Sequence, residues 1–262
     1  MFGLAALGIL IVGGYIGWVA TRPATGEEQK AVCALVIDRT SSFQDPTVEE
    51  RRRSMASAAV EGCRERNARL LMFYFDQASQ KLVVLEDEEG EPAFDLWLPT
   101  GHKSQVQQRQ LDETLERARS VVDVAMKQTP GDARGSDIVS AVRTAAKNLN
   151  DRARADGVDE RFLIVLTDGL QTTSDLSVQD LAEEASAVEP LLLKAEQLRL
   201  VPQLDGTFVN FLGVRTGVNP DGSQLPEFFE ANVELFWQGL VERGGGSLCL
   251  YEPDATHIPM DC

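Results

Sequence analysis

Three short stretches of this chain carry oxygen donors in patterns that could hold a metal ion. Asp38, Thr40 and Ser42 lie within five residues of one another, Asp137 directly follows Ser136, and Gly169 directly follows Asp168. Carboxylates and hydroxyls are hard donors, which Mg²⁺ (or Mn²⁺ or Ca²⁺) prefers to nitrogen or sulfur. Two carboxylates and three neutral hydroxyls supply five donors, which leaves one position of a six-coordinate ion open. A carboxylate from a partner protein would serve as the last ligand. Singly, each stretch has an ordinary explanation: strand-end Asp and Ser cap helices, and Asp-Gly makes turns. Their order and their attachment to regular elements give the combination its weight.

Residues 31–37, AVCALVI, are apolar or small at every position and end in Asp38. A run that short and that apolar reads as a strand buried on both faces of a parallel sheet. Residues 161–167, RFLIVLT, form a second such strand ending at Asp168, and the Gly-rich GDARG before Ser136 runs into a helix over about 137–150. Between and after them the pattern predicts a helix from Pro46-Thr47 to about residue 67, a strand over 68–75 and a helix over 105–127. Segments 80–85 and 93–98, bracketing the acidic turn 86–91, read as a hairpin or an edge strand. Later elements are a helical stretch over 176–201 with Pro190 as a kink or joint, a strand over 207–214, a helix over 226–243 and a last strand over 247–251. Strand–helix alternation of this kind gives an α/β fold: a doubly wound, mostly parallel central sheet with helices on both faces. Right-handed crossovers set the 31–37 and 161–167 strands side by side where the winding reverses. The three donor-bearing loops then meet in one crevice.

On these residues the chain resembles the von Willebrand factor type A domain. That family's metal-ion-dependent adhesion site has a D-x-S-x-S after the first strand, a threonine in a second loop, often as Gly-Thr-Asp, and a Thr-Asp-Gly after a later strand. The corresponding stretches are Asp38-Arg39-Thr40-Ser41-Ser42, Gly135-Ser136-Asp137 and Thr167-Asp168-Gly169. The resemblance covers roughly residues 31–252. It implies that Thr40, Ser42 and Ser136 bind the metal directly, that Asp38 and Asp168 do so directly or through water, and that Asp137 stands behind them. It also implies a binding function rather than turnover, the partner being a protein that offers a carboxylate. Thr40 in place of serine and Ser136 in place of threonine both keep a hydroxyl. Arg39 and Arg134 bring positive charge near the site, and Arg39 could pair with the partner's acid or with a neighbouring carboxylate.

The N-terminal segment predicts a membrane anchor. Residues 2–20 contain no charge, and at about 1.5 Å rise per residue such a helix approaches the roughly 30 Å hydrocarbon core. Phe2 opens this span, Trp18 suits its interfacial end, and Arg22 closes it. Without a charged leading region, an uncleaved anchor is expected over residues 1–22, followed by a linker (23–30), the globular domain (31–253) and a loose tail (254–262). Gly13 and Gly17 form a G-x-x-x-G that could pair two such helices into a homodimer. The side of the membrane on which the domain sits is left open.

Composition narrows the remaining choices. A net charge of −16 excludes a nucleic-acid-binding surface, which needs a basic stripe. Four cysteines without C-x-x-C spacing make structural zinc improbable. Cys33 reads as a small apolar filler of its strand, whereas pairing of Cys249 with Cys262 is left undecided. The two histidines, His102 and His257, have no partner carboxylate pattern. Two alternatives stand beside the binding module. One is a Mg²⁺-dependent aspartyl phosphotransferase or phosphatase attacking through Asp38, which lacks the acid that chemistry needs at position 40. The other is a structural scaffold with an empty crevice.

Overall fold

The computed structural model describes residues 29–39, 49–75, 83–84, 95–98, 105–127, 136–182, 186–214, 227–260 and 262. The expected anchor with Phe2, Gly13, Gly17, Trp18 and Arg22 lies outside them, as do most of the linker, Thr40, Ser42, the acidic turn, His102, Arg134 and Gly135. Among the described residues no helix is long and apolar enough to cross a membrane.

Among the described residues seven strands form one sheet. They are β1 (Ala31–Asp38), β2 (Ala68–Phe75), β3 (Val83–Val84), β4 (Asp95–Trp97), β5 (Glu160–Leu166), β6 (Thr207–Leu212) and β7 (Ser247–Glu252). The parallel part has the order β2-β1-β5-β6-β7. The chain steps one way from β1 to β2 and the other way from β5 to β7, so the winding reverses at the β1/β5 boundary, as the sequence pattern requires. Helices α1 (Glu49–Glu65), α2 (Gln105–Lys127), α3 (Ile138–Asp156), α4 (Val188–Gln197) and α5 (Glu227–Arg243) complete the described regular structure, with a short 3₁₀ turn at Val178–Ala182.

Side chains alternate across a strand with a period of two, and β1 uses both faces. Val32, Ala34 and Val36 join one core with α3, α4 and α5; Ala31, Cys33, Leu35 and Ile37 join a second with α1 and α2. All seven are fully buried, which explains the unbroken apolar run. Asp38 continues the even-numbered series and therefore belongs to the α3 face. Residues 163 and 165 of β5 lie on that same face, and Thr167 is the next in that series.

Four expectations need correction. Of the two readings of the 80–85 and 93–98 segments, the edge strand holds and the hairpin does not: among the described residues β3 and β4 each run antiparallel to β2, β3 along Phe73 and Tyr74 and β4 along Arg69 to Leu71. The 176–201 stretch is not one kinked helix. Pro190 sits in the first turn of α4, where its missing N–H costs no helical hydrogen bond. The tail is anchored: Ile258 and Met260 are buried in the α1-side core, and the Asn210 amide donates to the Pro259 carbonyl (3.4 Å). Gly62 of α1 permits this approach, because a Cβ there would lie 3.3 Å from the Met260 sulfur. Finally, Cys33 is no mere filler. It is bonded to Cys63 of α1, and Cys249 is bonded to Cys262.

Candidate functional site

The parallel register pairs Ile37 with Leu166, so the next residues, Asp38 and Thr167, emerge side by side from the two strands. Asp38 is 1% exposed and Thr167 fully buried. The Thr167 hydroxyl donates to Asp38 Oδ2 at 2.7 Å, and its oxygen accepts from the Gly169 N–H at 3.2 Å. Thr167 thus fixes the rotation of the Asp38 carboxylate and the path of the loop that carries Asp168. Its own N–H is spent on the Leu212 carbonyl of β6 (2.9 Å).

Asp168, also nearly buried, accepts from the Leu170 N–H through Oδ1 (3.0 Å). Gly169 then turns the chain with φ +77, a conformation that disfavours any residue with a Cβ. Its carbonyl accepts from the indole N–H of Trp237 (3.0 Å), a fully buried side chain of α5 whose ring lies 4.7 Å from that of Phe211. The Tyr251 hydroxyl of β7 closes the other side, 3.0 Å from where a Cβ on Gly169 would stand. Burial, followed by the carboxylates of Glu234, Asp168 and Glu230, holds the Tyr251 phenol protonated far above its ordinary range.

Ser136 is joined to the same loop from the opposite direction. Its N–H donates to the Thr172 hydroxyl (2.8 Å), and its carbonyl accepts from the Thr172 N–H (2.9 Å). Asp137 is the N-cap of α3, its Oδ1 accepting from the Ser140 N–H (3.1 Å). Gln171, with no exposed surface, completes the joint. Its side-chain carbonyl accepts from the Val139 N–H (2.9 Å), and its amide nitrogen donates to Asp137 Oδ1 (3.4 Å) and the Thr173 hydroxyl (3.2 Å). Two N–H groups of the first turn of α3, those of Val139 and Ser140, are thereby satisfied.

Asp38, Ser136 and Asp168 are therefore tied to one segment, residues 167–172. Asp137 serves as a cap within it, while Thr40 and Ser42 fall outside the described residues. Arg39 is 4% exposed and lies over the Tyr74 ring at 4.4 Å, so one face of its guanidinium is covered by β2. Among the described residues no group of three or more His, Cys, Asp or Glu side chains could hold a metal ion. The expected donor set does not need one, having only two carboxylates and otherwise hydroxyls. Sequence reasoning missed Gln171, Thr172, Trp237 and Tyr251. For Gln171 and Thr172 a signal existed in their position just after the Thr-Asp-Gly; nothing local marked Trp237 or Tyr251.

No family model matches the chain, and no curated protein matches it. Among solved structures it is similar to the pilus adhesin SpaC from Lactobacillus rhamnosus GG in an open conformation, with 14% identity, TM-score 0.41, and coverage of 81% of this chain and 27% of that one. It is also similar to proximal thread matrix protein 1 from the mussel byssus, with 12% identity, TM-score 0.38, and coverage of 83% and 49%. Human COPII-coat protein Sec24c gives 10% identity, TM-score 0.37, and coverage of 86% and 30%. The chain spans less than half the length of each.

Proposed function

We propose that this chain is a membrane-tethered, divalent-cation-dependent protein-binding module with a von Willebrand factor type A-like fold. The observation that supports it most is the Thr167–Asp38 hydrogen bond, which couples the first donor loop to the Asp168 loop at the point where the sheet's winding reverses. Ser136 is drawn to the same segment through Thr172. Asp38, Asp168 and Ser136, with Thr40 and Ser42, would hold the cation. When bound, Mg²⁺ or a similar ion supplies a Lewis-acidic position for a partner's carboxylate. Residues 2–20 would supply the tether.

The residues of this chain have supporting roles that do not depend on which ion is used. A buried carboxylate is costly without hydrogen-bond or charge partners, and the Thr167 hydroxyl offsets part of that cost while orienting Asp38. The Trp237 indole holds the Gly169 carbonyl, with the Tyr251 hydroxyl close beside that residue, which would restrain the Asp168 loop as a partner approaches. Binding without turnover agrees with the residue types, because position 40, two after Asp38, carries a threonine where phosphoryl transfer through Asp38 needs a general acid.

The test is a pull-down from membranes with the full chain, with and without chelator, repeated with Asp38→Ala. We expect chelator and the substitution each to abolish partner capture while the variant still unfolds cooperatively in urea. Partner capture by Asp38→Ala in the presence of chelator would overturn the proposal, and phosphate-ester hydrolysis lost in Asp38→Asn would replace it with the phosphotransferase.

A further inference from the structure

We infer that this domain works in its oxidised form and so belongs to an oxidising compartment, on the side of the membrane away from the cytosol. The sequence has four cysteines, and all four are used: Cys33 with Cys63, and Cys249 with Cys262. Among the described residues no cysteine is free. The Cα–Cα distances are 6.0 and 5.0 Å, both within the roughly 4.4–6.8 Å window that a disulfide spans without backbone movement. In a reducing cytosol such pairs stay as thiols, and conversion of every cysteine in a chain into pairs is a mark of secreted and extracytoplasmic domains.

The two bonds are set where each does something for the fold. Cys33 and Cys63 are both fully buried, and their bond fastens β1, the strand that ends at Asp38, to the helix that follows it. Asp38 and Arg39 lie within the 33–63 segment that this bond closes. Cys249–Cys262 adds a covalent tie to a tail already held by Ile258, Met260 and Ala255 in the α1-side core, by the Asp254–Arg51 ion pair (3.5 Å) and by a hydrogen bond from Asn210. The cross-link joins this segment to β7 and so to the sheet.

Formation of each bond takes two electrons and two protons from a pair of thiols. By thiol–disulfide exchange these pass to a disulfide-carrying oxidant, which leaves as its dithiol. Arg22 and Lys30, following the apolar residues 2–20, pull by charge toward the opposite orientation, but two cations are a slight bias. The inference does not depend on cation binding.

The experiment uses the full chain in its own membranes. Thiols are trapped in acid, the protein is denatured, and a maleimide-bearing polyethylene glycol is added before or after reduction. We expect no adduct before reduction and four after it. Digestion without reductant should give a peptide containing Cys33 linked to one containing Cys63, and Cys249 linked to Cys262. In membrane vesicles of known sidedness, protease should remove the globular part only when the non-cytosolic face is exposed. Adducts before reduction, different linked peptides, or cleavage of the domain only when its cytosolic face is exposed to protease would each overturn the inference. None of these readouts involves metal or partner binding, so the proposal for the oxygen-lined crevice stands or falls separately.

Discussion

Thr167→Val tests the joint between the two strand ends most directly. Valine keeps the branched shape in a fully buried position, so the change removes a hydroxyl and little else. Two hydrogen bonds disappear: the one to Asp38 Oδ2 at 2.7 Å and the one from the Gly169 N–H at 3.2 Å. A bond to a carboxylate contributes about 1.5–3 kcal/mol and a long neutral one about 0.5–1 kcal/mol, so the expected loss is about 2–4 kcal/mol. For a domain whose whole stability is about 5–15 kcal/mol, that is large. Urea unfolding in chelator, which keeps cation binding out of the measurement, should show a lower midpoint with an unchanged m-value. The decisive quantity is the coupling in a double-mutant cycle with Asp38→Ala, expected at about 1.5–3 kcal/mol. Coupling below about 0.5 kcal/mol would mean that Thr167 does not hold the Asp38 carboxylate, and the argument for a pre-oriented donor would fail.

Two further predictions concern the Asp168 loop. Gly169→Ala should cost about 1–3 kcal/mol in urea unfolding, because φ +77 disfavours a Cβ and the Tyr251 hydroxyl lies 3.0 Å from where that Cβ would be; a neutral result would show that the loop relaxes freely. Tyr251 gives a pH signature. Its folded-state pKa is raised, by burial first and then by Glu234, Asp168 and Glu230, so the folded protein keeps a proton that the unfolded chain releases above about pH 10. The stabilisation is present below that pH and declines above it by about 1.4 kcal/mol per pH unit, until the folded-state pKa is reached. Tyr251→Phe should remove this part of the alkaline decline, seen as the difference between the two proteins' unfolding free energies at pH 8 and pH 11. Identical pH dependence would refute it.

The local elements were largely written in the sequence. The predicted 68–75 strand and 105–127 helix match β2 and α2 residue for residue, and β1, β5 and β6 lie within a residue or two of their apolar runs. A parallel strand buried on both faces must be apolar throughout, and few other structures require that of so short a run. The alternation of such strands with helices also sufficed to set β1 beside β5. Pro190 was misread because the same residue that breaks a helix interior is welcome in a first turn, and only the start of α4 distinguishes the two.

Which distant groups meet was another matter. Asp38, Ser136 and Asp168 stood out because each is a polar group at the end of a regular element, a local property. Gln171 is buried because the start of α3 needs an acceptor there, and Trp237 and Tyr251 reach the Asp168 loop from elements about seventy and eighty residues further on. The partners of Cys33, β3, β4 and the tail were likewise invisible. Hydrophobic periodicity records that a face is covered; what covers it depends on how the sheet is wound, and that belongs to the chain as a whole.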